Sequence, residues 1–449
     1  MKNVLQKSSL ALAITSAFAL SPHSLGAGFQ VSETTTSGMG RANAGEAARL
    51  DNAGVIAKNP AAQAFFDKQA LSVALHYIEP EIDISGTNTN ATGTVVKADA
   101  RDVAPSAVVP GIFYAMPINE KWGFGLTINS RFGLSTEYEN DFTASEYATE
   151  SSIESIYFTP SVSFKLNDQI SLGLGLSYIS GEGKLKNTSS TTLNQTVTAG
   201  LSQPPPNGIG NPTAAAAVSP TVGDSILDLE ADGDGFSWNL GFLWRITDNA
   251  NIGFSYFSAV DLDTDADYTI YSAAASAQNA ASGTFAPAYL KKSGTLTLNL
   301  PDVAEVAYTQ GIGEQWEVSA SVQFTGWSSF EEIAVDDDVL KEENWDDAMR
   351  YSIGADYKIT PDIAIRFGYA YDESAVSEEN RTLSIPDADR NWYSFGGTFG
   401  LPTGSIDAAF TFVQGKKVSV NEDDSGSVFN GELSKVDAYI ASVAYNIEF

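Results

Sequence analysis

The chain has 449 residues, with 56 acidic against 25 basic side chains, a formal net charge of −31 and no cysteine. This acidity argues against nucleic acid and against anionic lipid surfaces as partners, and the lack of cysteine excludes disulfides and thiol chemistry. We interpret the acidic residues mainly as parts of solvated loops, with divalent cations bound between loops as the alternative.

Residues 1–26 have the features of a secretory signal peptide. Lys2 and Lys7 accompany an apolar run from Leu10 to Leu20, and small residues follow up to Ala27. The run is too short to be a membrane helix, and no run of 18 or more apolar residues follows it. The sequence therefore predicts an exported protein whose mature chain begins near Ala27 and has no helical membrane span.

Residues 27–68 are rich in Gly, Ala, Ser and Thr and lack the apolar alternation of a strand. Such a segment cannot build a core of its own, so we interpret it as a plug held inside a larger structure. Its pivot is predicted at Asn59, Pro60 and Ala61, because Pro60 lacks a backbone donor and restricts the residue before it. A flexible N-terminal arm is the alternative.

Residues 69–449 contain windows in which apolar residues alternate with polar or small ones, for example 170–178, 316–325 and 363–372. One apolar face with aromatic ends is typical of a barrel whose outside contacts lipid, although alternation alone also fits a soluble sandwich. The signal peptide, the aromatic ends and the length favour the barrel. Six short turn signals occur, at 119–121, 167–169, 247–249, 311–315, 360–362 and 402–404. They imply seven hairpins, and hence an all-β, fourteen-stranded antiparallel transmembrane β-barrel with the plug in its lumen.

Two long outer loops, predicted at 187–234 and 272–290, are unusually rich in alanine. Phe285, Tyr289 and Leu290 belong to the second. Weakly apolar loops either bury this surface against each other or offer a groove to an apolar ligand. The acidic stretch 336–347 is interpreted as solvated.

Little in the sequence supports catalysis. His76 is the only histidine outside the signal peptide, and no serine motif accompanies it, so a phospholipase-like enzyme is disfavoured. Gly-Xaa-Gly pairs, such as 123–125 and 173–175, are interpreted as lumen-facing strand positions that make room for the plug, because no Lys-Ser or Lys-Thr phosphate motif follows them. We expect no enzyme activity, catalytic residue, metal or cofactor.

Several segments resemble the FadL/TodX (OMPP1) family of outer-membrane hydrophobic-substrate transporters. They are AGFQ at 27–30, SGMGRANAG at 37–45, Asn59-Pro60-Ala61, and the segments 115–119, 132–137, 294–301 and 380–390. The resemblance spans the mature chain and implies a monomeric barrel in the outer membrane of a Gram-negative bacterium, with 27–68 as a hatch. It implies passive uptake of long-chain fatty acids, with aromatic hydrocarbons as the runner-up substrate class and a general porin as a weaker alternative.

The family's mechanism also implies roles for individual residues. Ligand passes from an outer groove to a pocket above the hatch, shifts the hatch, and leaves sideways where the third strand is kinked. In this sequence that strand is 122–138 and Gly133 matches the kink, where a glycine can interrupt the ladder. Phe29 matches a pocket-lining phenylalanine. A bound carboxylate requires a cation, and the candidates are Lys184 and Lys186, which stand near the family's arginine position, and Lys341, Arg350 and Arg390.

Overall fold

The computed structural model describes residues 28–424 and 426–449, so the predicted signal peptide lies outside the described residues. The helices are α1 (Thr36–Met39), α2 (Thr191–Leu201), α3 (Pro212–Val218) and α4 (Ala273–Ala281), with short 3₁₀ helices η1 (Glu46–Ala48), η2 (Ala53–Ala57), η3 (Pro60–Phe65) and η4 (Trp327–Ser329). No helix in the described part of the chain is long and apolar enough to cross a membrane.

The rest of the structure is dominated by antiparallel strands. They are β1 (Ala70–Thr89), β2 (Val95–Lys97), β3 (Ala107–Pro117), β4 (Trp122–Asn129), β5 (Gly133–Glu137), β6 (Glu150–Lys165), β7 (Ile170–Thr188), β8 (Ser225–Thr247), β9 (Ala250–Phe257), β10 (Val260–Tyr271), β11 (Tyr289–Leu300), β12 (Val303–Ile312), β13 (Trp316–Thr325), β14 (Glu332–Val335), β15 (Asp338–Glu342), β16 (Ala348–Thr360), β17 (Ile363–Asp372), β18 (Arg390–Leu401), β19 (Gly404–Gly415), β20 (Val418–Asp424) and β21 (Ser427–Glu448).

Within residues 28–424 and 426–449, fourteen strands close into a ring, because β21 pairs with both β19 and β1. The ring order is β1, β3, β4, β6, β7, β8, β9, β12, β13, β16, β17, β18, β19, β21. Four ring strands consist of two consecutive pieces, namely β4 with β5, β9 with β10, β11 with β12, and β19 with β20. All six predicted turns join neighbouring ring strands, and the predicted all-β fold with fourteen strands is confirmed.

The lower part of the wall, near these turns, is apolar outside and small or polar inside. On β7, Leu172, Leu174 and Leu176 point outward and are 44%, 50% and 56% exposed, whereas Ser171 and Ser177 point inward and are buried. The same pattern recurs round the ring, with exposed aromatic and aliphatic side chains on the outer face. An outer apolar band of this kind fits hydrocarbon.

The upper part of the wall has the opposite distribution. On β8, Glu230 and Asp232 point outward and are exposed, and Leu229 and Ala231 point inward and are buried. The acidic residues between 228 and 234 therefore lie on a strand, and the predicted loop 187–234 ends earlier, at Ser225. The acidic composition obscured a regular alternation, in which every second residue is Leu, Ala or Gly.

Residues 28–66 lie against the inner faces of strands all round the ring. Helix α1 packs on β18 and β19, η1 on β9 and β12, η2 on β3, and η3 on β4, β6, β7 and β8. Glycines allow this close approach, as the spacing suggested. A Cβ at Gly125 would lie 2.0 Å from Gln63 Oε1, and one at Gly173 would lie 2.3 Å from the backbone of Pro60 and Ala61.

Ion pairs of the buried Arg41 and Arg49 also connect this N-terminal segment to the wall, on the side of the ring opposite η3. Arg41 pairs with Glu46 at 2.8 Å, and with Asp51 and Asp356 at 3.1 Å each, while Arg49 pairs with Glu317 at 2.6 Å. Burial alone would raise the pKa of the Asp51 carboxyl, but Arg41 and Arg49 hold it well below its ordinary value. Removing one partner would leave an uncompensated buried charge, so this network anchors the segment.

The alanine-rich outer stretches form helices that bury their surfaces against one another. Leu201 of α2, Ala215 and Val218 of α3, and Ala280 of α4 form one apolar cluster. Of the two outcomes predicted for these stretches, mutual burial is therefore observed. The predicted loop 272–290 also ends two residues early, at Ala288, since Tyr289 begins β11.

Candidate functional site

The third ring strand is interrupted over residues 130–132. β4 ends at Asn129 opposite Tyr157, and β5 begins at Gly133 opposite Glu154, so three residues on this strand face two on β6. The Ser155 hydroxyl bridges the break, accepting from Phe132 N at 3.1 Å and donating to Phe132 O at 2.5 Å. The interruption lies immediately before Gly133, the position that the resemblance singled out.

A gap in the wall accompanies this break. β3 pairs with β4 only from Gly111 to Pro117, so its first residues, from Ala107 to Pro110, have no partner on β5. The free edge of β5 instead bonds to other segments: Gly133 N donates to Phe29 O, and Glu137 N donates to Val103 O, both at 2.8 Å. The third strand is therefore separated from its neighbour on one side.

The start of the N-terminal segment covers the break. Val31 N donates to Arg131 O at 2.8 Å, and Gln30 forms an antiparallel bridge with Phe132. Asp387 fixes the chain just before this point, because its Oδ2 accepts a hydrogen bond from Gly28 N at 3.1 Å.

Phe29 lies fully buried in an aromatic cluster beside the break. Its ring centroid is 4.6 Å from Trp327, 5.3 Å from Phe330, 5.6 Å from Trp345 and 6.0 Å from Phe132. These rings belong to an apolar cluster that continues up the inner wall. Phe29 thus connects the start of the N-terminal segment to this apolar cluster.

A narrow cavity of about 50 Å³ lies in the upper wall and continues this apolar surface. Its lining includes the apolar residues Ile153, Leu185, Leu229, Leu262, Leu296, Leu298 and Ile333, the glycines Gly181 and Gly183, and also Lys184. Inward leucines from four neighbouring ring strands converge here because the upper wall turns its apolar residues toward the lumen. The cavity can hold an alkyl chain only if side chains move apart.

Lys341, on the hairpin of β14 and β15, is a largely buried cation close to this apolar region. It is the cross-strand partner of Ile333, which lines the cavity, and its side chain is 16% exposed. Its Nζ donates to the Ser384 hydroxyl and lies 3.7 Å from Glu343 Oε1. Burial raises the pKa of Glu343, and the charge of Lys341 offsets this only in part. A carboxylate could replace Glu343 as the partner of this lysine.

The other predicted cations occupy different positions. Lys184 lies on the outer face of β7, half exposed and 3.9 Å from Glu230, and Lys186 shares that face. The lining of the cavity includes Lys184 as well as the buried Leu185, but not Lys186. The alternation from Leu172 onward already assigned both lysines to the outer face.

Arg350 and Arg390 are buried and already have ion-pair partners. Arg350 donates to Ser32 Oγ at 3.1 Å and pairs with Asp372 at 3.3 Å, so it links the wall to the N-terminal segment. Arg390 pairs with Asp387 at 2.5 Å, the same carboxylate that holds Gly28. Both arginines therefore position the segment's start.

The motif Asn59-Pro60-Ala61 lies at the start of η3, with Asn59 as the cap and Pro60 as the first helical residue. Asn59 Oδ1 accepts from Ala61 N at 2.9 Å, which caps the helix, and Asn59 Nδ2 donates to Ala47 O and Phe242 O at 2.6 and 3.0 Å. The motif fixes the later part of the segment to β8. Whether it acts as a pivot stays a prediction.

The outer loops enclose a second cavity of about 330 Å³. Its lining includes Leu193 and Val197 of α2, Ile270 and Tyr271 of β10, Leu340, and the buried carboxyl of Glu146, whose pKa burial raises. Phe285, Tyr289 and Leu290 do not line it. Phe285 is 58% exposed, and the Tyr289 hydroxyl donates to Asp224 at 3.1 Å. An outer groove exists, but its residues differ from the predicted ones.

His76 is fully buried between the wall and the N-terminal segment. Its Nδ1 lies 2.8 Å from Ser442 Oγ and its Nε2 lies 3.4 Å from Thr34 O. Neither His76 nor Ser442 lines either of the two cavities described above. In the portion of the chain that the structure covers, no group of three or more acidic or histidine side chains could hold a metal ion.

Two residues of the site were missed by the sequence analysis. Trp345 and Glu343 belong to the stretch 336–347, which was interpreted as solvated, yet they are 3% and 1% exposed. The Trp345 indole donates to Glu343 Oε2 at 2.9 Å. A tryptophan inside an acidic stretch was the available signal, because tryptophan is rarely left in water without a packing partner.

A closed barrel with an outer apolar band, an inner segment and an apolar cavity beside a gap defines a transport protein of the outer membrane. The profile of the family described as outer membrane protein transport protein (OMPP1/FadL/TodX) matches residues 17–449, and the chain belongs to this family. It lies in the outer membrane and is not an enzyme.

Relatives agree with this assignment. The long-chain fatty acid transport protein of Escherichia coli K12 is 32% identical over 435 residues, covering 94% of each chain. Outer membrane protein P1 of Haemophilus influenzae Rd is 31% identical over 421 residues, covering 88% of each.

Solved structures show the same fold. A Pseudomonas aeruginosa FadL homologue superposes with a TM-score of 0.80 at 24% identity, covering 94% of this chain and 100% of that one. The Pseudomonas putida toluene transporter TodX gives a TM-score of 0.65 at 18% identity, covering 92% and 97%.

Proposed function

We propose that this protein takes up long-chain fatty acids across the outer membrane by passive diffusion, acting as a monomer. The observation that carries the proposal is the position of Lys341, a largely buried cation whose cross-strand partner, Ile333, lines the apolar cavity. An alkyl chain and a carboxylate require this combination, because a buried charge must be paired and an alkyl chain gains free energy from apolar burial. Relatives about 32% identical along the whole chain are named long-chain fatty acid transport proteins.

In this proposal residues 27–68 act as a hatch. Ligand enters through the outer cavity near Leu340, reaches Lys341 and the apolar cavity, and displaces the start of the hatch around Phe29. The gap beside Gly133 is then open, and the ligand leaves sideways into lipid. The segment from Gly28 to Val31 moves in this step. It gives up its hydrogen bonds to Asp387, Arg131 and Gly133 and those of Gln30 to Gln323 and Thr325, while the rest of the hatch stays anchored by buried ion pairs.

Uptake of aromatic hydrocarbons is the second candidate. The aromatic cluster around Phe29 favours it, because flat rings pack well against Trp327 and Trp345. Such ligands carry no charge and do not need Lys341, so the two substrate classes differ in one testable respect.

Competition binding on the purified protein distinguishes these candidates. Lys341→Ala should weaken oleate binding by roughly 10- to 100-fold, the contribution of a charge-assisted hydrogen bond, and should leave toluene binding unchanged. The control is the double variant of Lys184→Ala with Lys186→Ala, which should bind oleate normally. Unchanged oleate binding in Lys341→Ala would favour uncharged substrates, and a loss confined to the double variant would restore the outer-face lysines as the head-group site.

A further inference from the structure

Arg131 lies in the middle of the break in the third strand. Its backbone O accepts the hydrogen bond from Val31, and its guanidinium carbon lies 3.5 Å from the ring centroid of Phe257 and 5.8 Å from that of Tyr157. Phe257 and Tyr157 belong to the same apolar cluster as Phe29. The charge of Arg131 is therefore located where the apolar cluster meets the gap.

Arg131 is partly buried, and its partners differ from those of the buried arginines. Across residues 28–424 and 426–449, every buried arginine donates to a carboxylate or to backbone carbonyls, namely Arg41, Arg49, Arg350, Arg366, Arg381 and Arg390. The Arg131 side chain forms neither an ion pair nor a hydrogen bond with any residue in these ranges, and contacts only aromatic faces. Glu305 is near enough to interact through space but forms no ion pair with it.

An arginine held against aromatic rings keeps its donors free for an anion. Cation–π contacts use the face of the guanidinium, whereas carboxylate recognition uses its edge, so both can occur together. Taking a guanidinium partly out of water without an acceptor is unfavourable. A ligand carboxylate arriving at the break would supply the missing acceptor.

We propose that Arg131 binds the carboxylate of the departing ligand at the break, after it has left Lys341, and so makes the exit step selective for anionic amphiphiles. This inference rests on the proposed function. As the tail enters the gap, the head group must leave the upper cavity, and Arg131 provides two parallel donors near the exit. Neutral hydrocarbons would pass without this assistance.

Uptake of oleate and of oleyl alcohol, which differ in the head group, tests the proposal. Full-length protein is expressed in cells lacking their own fatty-acid transporter, and folding is checked by the change in gel mobility on heating. Arg131→Gln should lower the oleate uptake rate about 10-fold or more, should leave oleyl alcohol uptake unchanged, and should leave equilibrium oleate binding within about two-fold because Lys341 is intact. Arg131→Lys should retain an intermediate oleate rate, since it keeps the charge but not the fork.

Arg101→Gln is the matched control, because Arg101 is exposed and its loss should change neither rate. Normal oleate uptake in Arg131→Gln, or an equal fall for acid and alcohol, would overturn the role of Arg131 while leaving the proposed function in place. Wild-type protein that takes up no oleate would refute both.

Discussion

Glu33 should make the seating of the proposed hatch, meaning its packing inside the barrel, depend on pH. It lies in the hatch, 1% exposed, and neither carboxylate oxygen has a well-aligned hydrogen-bond donor among the residues described. Burial raises its pKa from 4.5 to about 7, and the backbone amides of Ser32 and Glu33 and the charge of Arg350 offset this only in part. The Glu33 carboxyl is therefore more easily kept neutral when the hatch is seated than when it is released.

The direction and size of the effect follow from this difference. Below pH 4.5 Glu33 is neutral whether the hatch is seated or released, so seating is strongest there. As pH rises, the released hatch ionises first, and seating weakens until about pH 7, where the seated carboxyl ionises too. At about 1.36 kcal/mol per pKa unit, the loss between pH 5 and pH 8 is about 2.5 kcal/mol, or roughly 70-fold.

Thiol labelling measures this equilibrium, because the chain has no cysteine of its own. The buried Thr34, next to Glu33, is replaced by cysteine in two proteins, one that keeps Glu33 and one that also carries Glu33→Gln, and both are labelled with a water-soluble maleimide. The labelling rate with Glu33 is divided by the rate with Glu33→Gln, so that the ionisation of the thiol itself cancels. It should rise roughly 70-fold from pH 5 to pH 8, and a ratio that stays level over this range would refute the reasoning.

Two further predictions concern glycines of the wall. Gly133→Val should favour a continuous strand, because a β-branched residue suits regular pleating, so fatty-acid uptake by cells should be lost while binding to purified protein is kept; retained uptake would contradict lateral exit. At Gly253 a Cβ would lie 1.9 Å from Ala47 O, so Gly253→Ala should unseat the hatch and raise the ion conductance of planar bilayers several-fold, whereas Gly200→Ala, with no atom within 4 Å of the added carbon, should not. Equal conductance of these two variants would show that the hatch does not block the lumen.

The strand number could be predicted because it depends on local signals. Turn residues such as Asn167 and Pro361 act through their own backbone preferences, and alternation on a strand assigns each side chain to a face. The face of Lys184 was equally predictable from that alternation. Its role as a head-group residue comes from the family resemblance and stays a prediction.

The site could not be predicted in the same way, because it is built from contacts between distant parts of the chain. Phe29 meets Trp327 and Trp345 only after the ring has closed, and no local pattern encodes that meeting. Composition was misleading for Trp345 and Glu343, since the charges around them indicated solvent while the fold buried both. Alternation also gives the face of a residue but not its depth, so the inward leucines could not be recognised as a cavity.

The height of the break in the third ring strand, relative to the lower and upper parts of the wall, supports a sideways route for the ligand through the wall. On β6, Phe158 points outward among apolar neighbours and Thr159 points inward, whereas a few residues higher Glu154 points outward and Ile153 points inward. The break in the third strand pairs with the residues between these two levels. Apolar surface therefore changes from the inside to the outside of the wall at the height of the gap. An alkyl chain leaving there would pass from an apolar cavity to an apolar outer face, and so would keep the free energy of apolar burial along this route.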